Sequence, residues 1–271
     1  MAESALNPTE KLYSEWQQPV NRWADLPNSI HNDSVATKIG MRGGTIPGTV
    51  HLNHFVPLIQ DTWGMAWYEK GAISMYYTFA TTHKEDVRAV MVKPALRSED
   101  KVDAFVETPE EKIVCKGSLS VGDSPKPNYV ASLPLEDAPR SELRILDRMK
   151  TGMECPERDD VIATEGKGSG DYEGIVELPT GLFQMLQTGA PTGTLKKAVG
   201  FYGATEIRTL KGPIRVDTEY RRVGKVVCVG ASPKTEYVWI DSQLLDKSSG
   251  DVVAEMRQFS RFMKASSDLW S

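Results

Sequence analysis

Residues 46–59, Ile-Pro-Gly-Thr-Val-His-Leu-Asn-His-Phe-Val-Pro-Leu-Ile, decide the fold once residues 178–186, Leu-Pro-Thr-Gly-Leu-Phe-Gln-Met-Leu, are set beside them. In the first stretch Leu52, Phe55, Val56 and Ile59 recur at i, i+3, i+4 and i+7, the spacing of one helical face. The helix is expected to open at Thr49. Pro57 removes a backbone hydrogen bond and crowds the preceding turn, so a kink or an early end is expected there. In the second stretch Leu182, Met185 and Leu186 supply the helical face, and Leu178-Pro179-Thr180-Gly181 stands where Ile46-Pro47-Gly48-Thr49 stood.

Working outward, each helix is followed by strand-like runs. Ile73, Met75, Tyr77 and Phe79 alternate with smaller or polar residues, and Val87 to Val92 and Lys112 to Val121 follow. After the second helix the runs are 204–210, 215–220, 225–229, 236–245 and 251–263. The last two form a hairpin through Asp246-Lys247-Ser248-Ser249-Gly250, a polar loop ending in glycine. The charged turn 107–112 before Ile113 holds the matching place in the first half. An internal repeat of one helix followed by strands predicts an α+β architecture, in which a helix and the inner face of an antiparallel sheet bury each other. Two such sheets can join edge to edge. Pro125, Pro127, Pro134 and Pro139 lie among polar residues, so the chain is divided into an N-terminal repeat at 1–124, a linker at 125–142 and a C-terminal repeat at 143–271.

Composition narrows the function. The 271 residues are 40% hydrophobic with 22 glycines, within the ordinary globular range, so the chain can bury a core. With 32 Lys+Arg against 37 Asp+Glu there is no net basic field to collect phosphates, which argues against nucleic acid as a partner. The longest uncharged stretch, 43–60, is broken by Gly, Pro, His and Asn, whereas a membrane-spanning helix needs about 20 mainly apolar residues. No basic-then-apolar run opens the sequence, so a cytoplasmic location is expected. Cys115, Cys155 and Cys228 are odd in number and far apart, which fits buried thiols and neither a disulfide framework nor a zinc site.

Only His31, His51, His54 and His83 can supply histidine acid–base chemistry. Residues 25–33 read Asp-Leu-Pro-Asn-Ser-Ile-His-Asn-Asp, and Arg42-Gly43-Gly44-Thr45-Ile46-Pro47-Gly48 leads into the first helix. This pattern resembles that of the MaoC-like dehydratases and R-specific enoyl-CoA hydratases of the hotdog-fold superfamily, whose signature is Asp-x-Asn-Pro-Ile-His followed by a Gly-rich turn into the central helix. Asn28, Ile30, His31 and the Gly43-Gly44-x-Ile46 turn match; Leu26 stands at the place of the family aspartate, five residues before His31, and Ser29 replaces the proline. The helix–sheet order of both halves resembles a double hotdog in one chain.

The resemblance implies a hydro-lyase that adds or removes water at the α,β-position of an acyl thioester, carried by coenzyme A or acyl carrier protein, without metal or redox cofactor. His31 would be the acid/base group and Asp25, one residue from the expected place, its carboxylate partner. Asn28 would shape the loop or hold water. Gly48 and Thr49 would polarise the carbonyl through backbone N–H groups, because the thioester oxygen gathers negative charge during addition. His51 and Asn53 would line a tunnel or serve as hydrogen-bonded buried polar residues. Other roles remain open: His31 as a loop imidazole at the following helix with Asn32 or Asp33, a His51–His54 metal pair, a cyclase or thioesterase of the same fold, or a non-catalytic acyl or polyketide binder. By the same resemblance the chain pairs into a homodimer or stands alone.

Overall fold

The computed structural model describes residues 10–94, 101–123 and 128–270. Five strands come from the first half: β1 (Lys11–Tyr13), β2 (Gly71–Tyr77), β3 (Arg88–Val92), β4 (Lys101–Glu107) and β5 (Ile113–Val121). Five come from the second: β6 (Arg158–Val161), β7 (Gly200–Thr209), β8 (Tyr220–Ala231), β9 (Thr235–Asp246) and β10 (Val252–Met263). They make one sheet in the order β1-β3-β4-β5-β2-β7-β10-β9-β8-β6. Each strand of the first half has its counterpart five places later in the chain, so the repeat extends to the strand order. The seam is the antiparallel pair β2–β7, with Ile73 opposite Ile207 and Met75 opposite Thr205.

The helical stretch of the first half is more broken than its spacing predicts. Gly48–Phe55 is a 3₁₀ helix, followed by α-helix α2 (Val56–Trp63), a break at Gly64, and α3 (Met65–Lys70); a short α1 (Asp33–Lys38) precedes them. Pro57 lies in the first turn of α2, where its missing N–H has no intrahelical role, so it neither kinks nor ends that helix. The sharper break falls at Gly64, whose φ of 55° suits glycine. In the second half α4 (Pro179–Leu186) begins with a proline in its first turn.

One expected strand is absent. Residues 215–219 make a single bridge, Arg215 to Ile175, and a turn, and β8 starts only at Tyr220. The apolar alternation of Ile214 and Val216 arises because a loop presses both into the core: the Val216 N–H donates to the Gly174 carbonyl and the Arg215 N–H to the Tyr220 hydroxyl.

On the inner face of the sheet Leu52, Phe55, Ile59 and Trp67 of the first half share a buried cluster with Leu182, Phe183, Met185 and Leu186 of α4. Burying a side chain of this kind contributes about 1.5–3 kcal/mol. Further along that face Leu143, Ile145, Leu146 and Met149 pack on Val226, Val238 and Ile240. Glu236, fully buried, holds this segment in place by accepting hydrogen bonds from the N–H groups of Arg144, Ile145 and Leu146 and from Trp270 Nε1. The outer face carries Trp239 stacked on Phe259 at 4.3 Å. Part of the expected linker, residues 125–127, lies outside the described residues. Its continuation crosses the outer face at the seam, where the Val130 N–H donates to Ser74 Oγ and the Ala131 N–H to Glu206.

Candidate active site

The loop that carries His31 is held from two sides. Asn21 donates to the His31 carbonyl at 2.8 Å, and the Thr45 N–H donates to the Ile30 carbonyl at 3.0 Å. Gly44 passes so close that a Cβ there would sit 2.3 Å from the His31 carbonyl oxygen, which explains a glycine in the matched turn. Asn32 caps α1, its Oδ1 accepting from the N–H groups of Ser34 and Val35, so capping does not fall to His31.

The imidazole is oriented by a hydrogen bond, with Nδ1 2.7 Å from the Thr45 carbonyl oxygen, and its ring lies 6.1 Å from that of Trp23. A carbonyl only accepts, so Nδ1 carries the proton and Nε2 keeps its lone pair. Burial pushes the His31 pKa below the ordinary histidine value, with the Thr45 carbonyl pulling the other way. The ring is therefore neutral, with a basic nitrogen available, near pH 7.

His31 stands between two cavities. The inner one, about 560 Å³, is lined by apolar side chains, among them Met41, Ile46, Phe79, Val114, Ile240, Met256 and Phe262. The outer one, about 950 Å³, is more polar and includes Gln18, Arg22, Trp23, Thr49, Asn53, Glu165 and Thr180. Four residues line both and form the waist between them: His31 and Pro47 from the first half, Gln187 and Tyr202 from the second. Gln187 Nε2 donates to the Tyr202 hydroxyl. Burial raises the Tyr202 pKa to about 12, so its hydroxyl stays protonated.

Gly48 opens the 3₁₀ helix beside this waist. Its Cα rests on the Tyr77 ring, where a Cβ would meet ring atoms at 2.9 Å. The first N–H groups of a helix have no partner within it, and no side chain caps this one. Gly48 lines the inner chamber and Thr49 the outer.

His51 also lines the inner chamber but is almost entirely buried, with Nε2 2.8 Å from Thr81 Oγ1. His54, one turn on, has Nδ1 2.7 Å from Gln17 Oε1. Burial lowers their pKa values to about 3 and about 4, so both are neutral. Their rings lie 5.4 Å apart, and no cluster of three metal-ligating side chains occurs among the described residues. Asn53 lines the outer chamber while binding α4: it donates to Thr180 Oγ1 at 2.9 Å and accepts from the Thr180 N–H at 3.1 Å.

The expected Asp25–His31 pair is not formed. Asp25 is exposed on a turn and lines neither chamber, although its neighbour Leu26 lines the outer one; the turn closes through Asn28 at φ 56°. Asn28 is likewise exposed and outside both chambers; its left-handed backbone shapes the turn.

No protein-family model matches the sequence, and no curated protein matches it. Among solved structures the chain is similar to a protein described as a MaoC domain dehydratase from Chloroflexus aurantiacus J-10-fl, at 8% identity over 94% of this chain and 95% of that one, with a TM-score of 0.54. It is similar also to a protein described as an oleoyl thioesterase from Lactobacillus plantarum, at 9% identity over 95% and 98% of the two chains, with a TM-score of 0.53. The fold is a double hotdog. The chain is similar as well to the dehydratase domain of PpsC from Mycobacterium tuberculosis, solved with C12:1-CoA, at 10% identity over 81% of this chain and 85% of that one, TM-score 0.49.

Gln187 and Tyr202 were not legible as site residues. Gln187 follows the last turn of α4 and Tyr202 stands near the start of a strand, so spacing alone gives neither a reason to line the same waist as His31.

Proposed function

We propose that this protein is an acid–base enzyme acting on an α,β-unsaturated or 3-hydroxy acyl thioester, or a related carbonyl compound, with His31 Nε2 as the proton-transferring group. The observation that carries the reading is the fixed lone pair of His31 at the waist between an apolar chamber and a polar one, beside an uncapped helix start. The apolar chamber suits the carbon chain, and the polar one suits a carrier arm such as that of coenzyme A or acyl carrier protein.

In the hydration direction water gives a proton to Nε2 as its oxygen adds to the β-carbon, and negative charge gathers on the thioester oxygen. Gly48 and Thr49 N–H groups, at the positive end of their helix, suit that oxygen. The protonated Nε2 then returns its proton to the α-carbon on the same face. A single base thus completes a syn addition, and no step needs Asp25. Dehydration is the same sequence reversed.

The test is a panel of short, medium and aryl enoyl-CoA thioesters followed by loss of the enoyl absorbance. Loss with the wild type and not with His31→Ala supports the reading; turnover surviving His31→Ala sinks it. A second reading is favoured by the neutral Gln187–Tyr202 pair that lines the waist with His31: the adding oxygen belongs to the substrate, giving a cyclic product that mass spectrometry shows without the added mass of water.

A further inference from the structure

Strand β7 is regular except at one residue. Thr205 pairs with Gln258 and Ala204 with Phe259, but the next pair is Tyr202 with Ser260, leaving Gly203 unpaired in a β-bulge. Side chains alternate between faces along a strand. Thr205 is bonded to Gln258 on the chamber side, and Ala204 packs with Phe259 in the outer cluster. Continued alternation would place Gly203 inward and Tyr202 outward.

The bulge reverses this. Gly203 faces outward beneath the Phe259 ring, where a Cβ would come 2.4 Å from Cδ1, and Tyr202 is turned into the waist that His31 also lines. Two further contacts fix the ring: Phe183 packs against it edge-on at 5.2 Å between centroids, and Gln187 Nε2 donates to its hydroxyl oxygen. With that oxygen accepting from Gln187, the hydroxyl hydrogen is directed elsewhere.

We infer that Tyr202 is a ligand-binding group of the site, donating a hydrogen bond to the ligand oxygen on which negative charge develops, with Gln187 as its positioning residue. The inference rests on the reading of His31 as the base. It assigns the oxygen a donor from the second half in addition to the helix start of the first, so both repeats contribute to one charge-stabilising site. Tyr202 transfers no proton in this role. It stays protonated and acts through its dipole, at a place where a neutral donor costs no reorganisation during reaction.

The test uses an oxyanion probe that needs no thioester. The intact protein is titrated with para-nitrophenol, whose bound ionisation is visible in its absorbance, and with nitrobenzene, which has a similar ring and no hydroxyl. The wild type is expected to prefer the phenol and to shift it toward phenolate. Tyr202→Phe is expected to weaken the phenol by about tenfold to a hundredfold, the range of one hydrogen bond to a charged group, with nitrobenzene unchanged. Gln187→Ala is expected to move the same ratio by less.

A merely structural tyrosine would move both probes together, or the melting temperature alone. A wild type without preference for the phenol, or a Tyr202→Phe variant that keeps it, overturns the inference. Silence of the enoyl thioester panel alongside an intact phenol preference would instead overturn the thioester reading and leave Tyr202 in place.

Discussion

One carbonyl determines what His31 can do. By accepting from Nδ1, Thr45 leaves Nε2 as the working nitrogen, and burial keeps it unprotonated at lower pH than a free histidine. His31→Ala is expected to lower turnover by about 10²–10⁴-fold, the usual contribution of a positioned acid–base group, with little change in melting temperature. The pH profile follows from the direction of the shift. The base is active when neutral, so kcat/KM should rise with pH and level off, with its midpoint below 6.5; a midpoint above that value would contradict the assignment of the rate to this ring. His31 was legible because a short motif surrounds it. The second half's residue at the waist was not, since Tyr202 reaches the chamber through a bulge that reverses the strand alternation on which such readings depend.

At the scale of elements, the last turn of the first half's 3₁₀ helix is tied to the start of α4 by Asn53, which both donates to and accepts from Thr180. Asn53→Ala removes the cap that α4 otherwise lacks and is expected to cost about 1 kcal/mol in urea unfolding. The same 3₁₀ helix carries a pH-dependent load. His51 and His54 are neutral in the folded chain down to about 3 and about 4 but protonate near 6.5 once unfolded. The unfolded state therefore binds more protons below 6.5, and stability present above that pH fades as pH falls. The slope should approach about 1.4 kcal/mol per pH unit for each histidine, measured by denaturant melts between neutral pH and pH 4. Replacing either by Gln should flatten it, and an unchanged slope in both variants would place the dependence elsewhere. Helix positions were legible from apolar spacing and from the repeated prolines. The change from 3₁₀ to α geometry was not, because both share nearly the same apolar face. The strand expected at 215–220 failed for a related reason: alternation reports burial, and a loop pressed into the core alternates as well as a strand does.

For the whole molecule, the repeat read from two short segments extends to every strand, yet the halves are not separable in energetic terms. The β2–β7 seam joins two five-strand sets into one sheet, and the helices of both halves share one apolar cluster. Removing either half would leave a long unpaired edge and expose Leu52, Phe55 and Ile59 on one side or Leu182, Phe183 and Leu186 on the other. The waist is divided in the same way, with His31 on one half and Tyr202 on the other. Fragments 1–124 and 143–271 expressed separately are therefore expected to show no cooperative thermal transition by circular dichroism. Co-expressed, they are expected to assemble, melt as one unit and regain whatever ligand binding the intact chain shows. A sharp transition in either fragment alone would show that a half carries its own core, and that the seam is a docking surface between finished units instead of the interior of one fold.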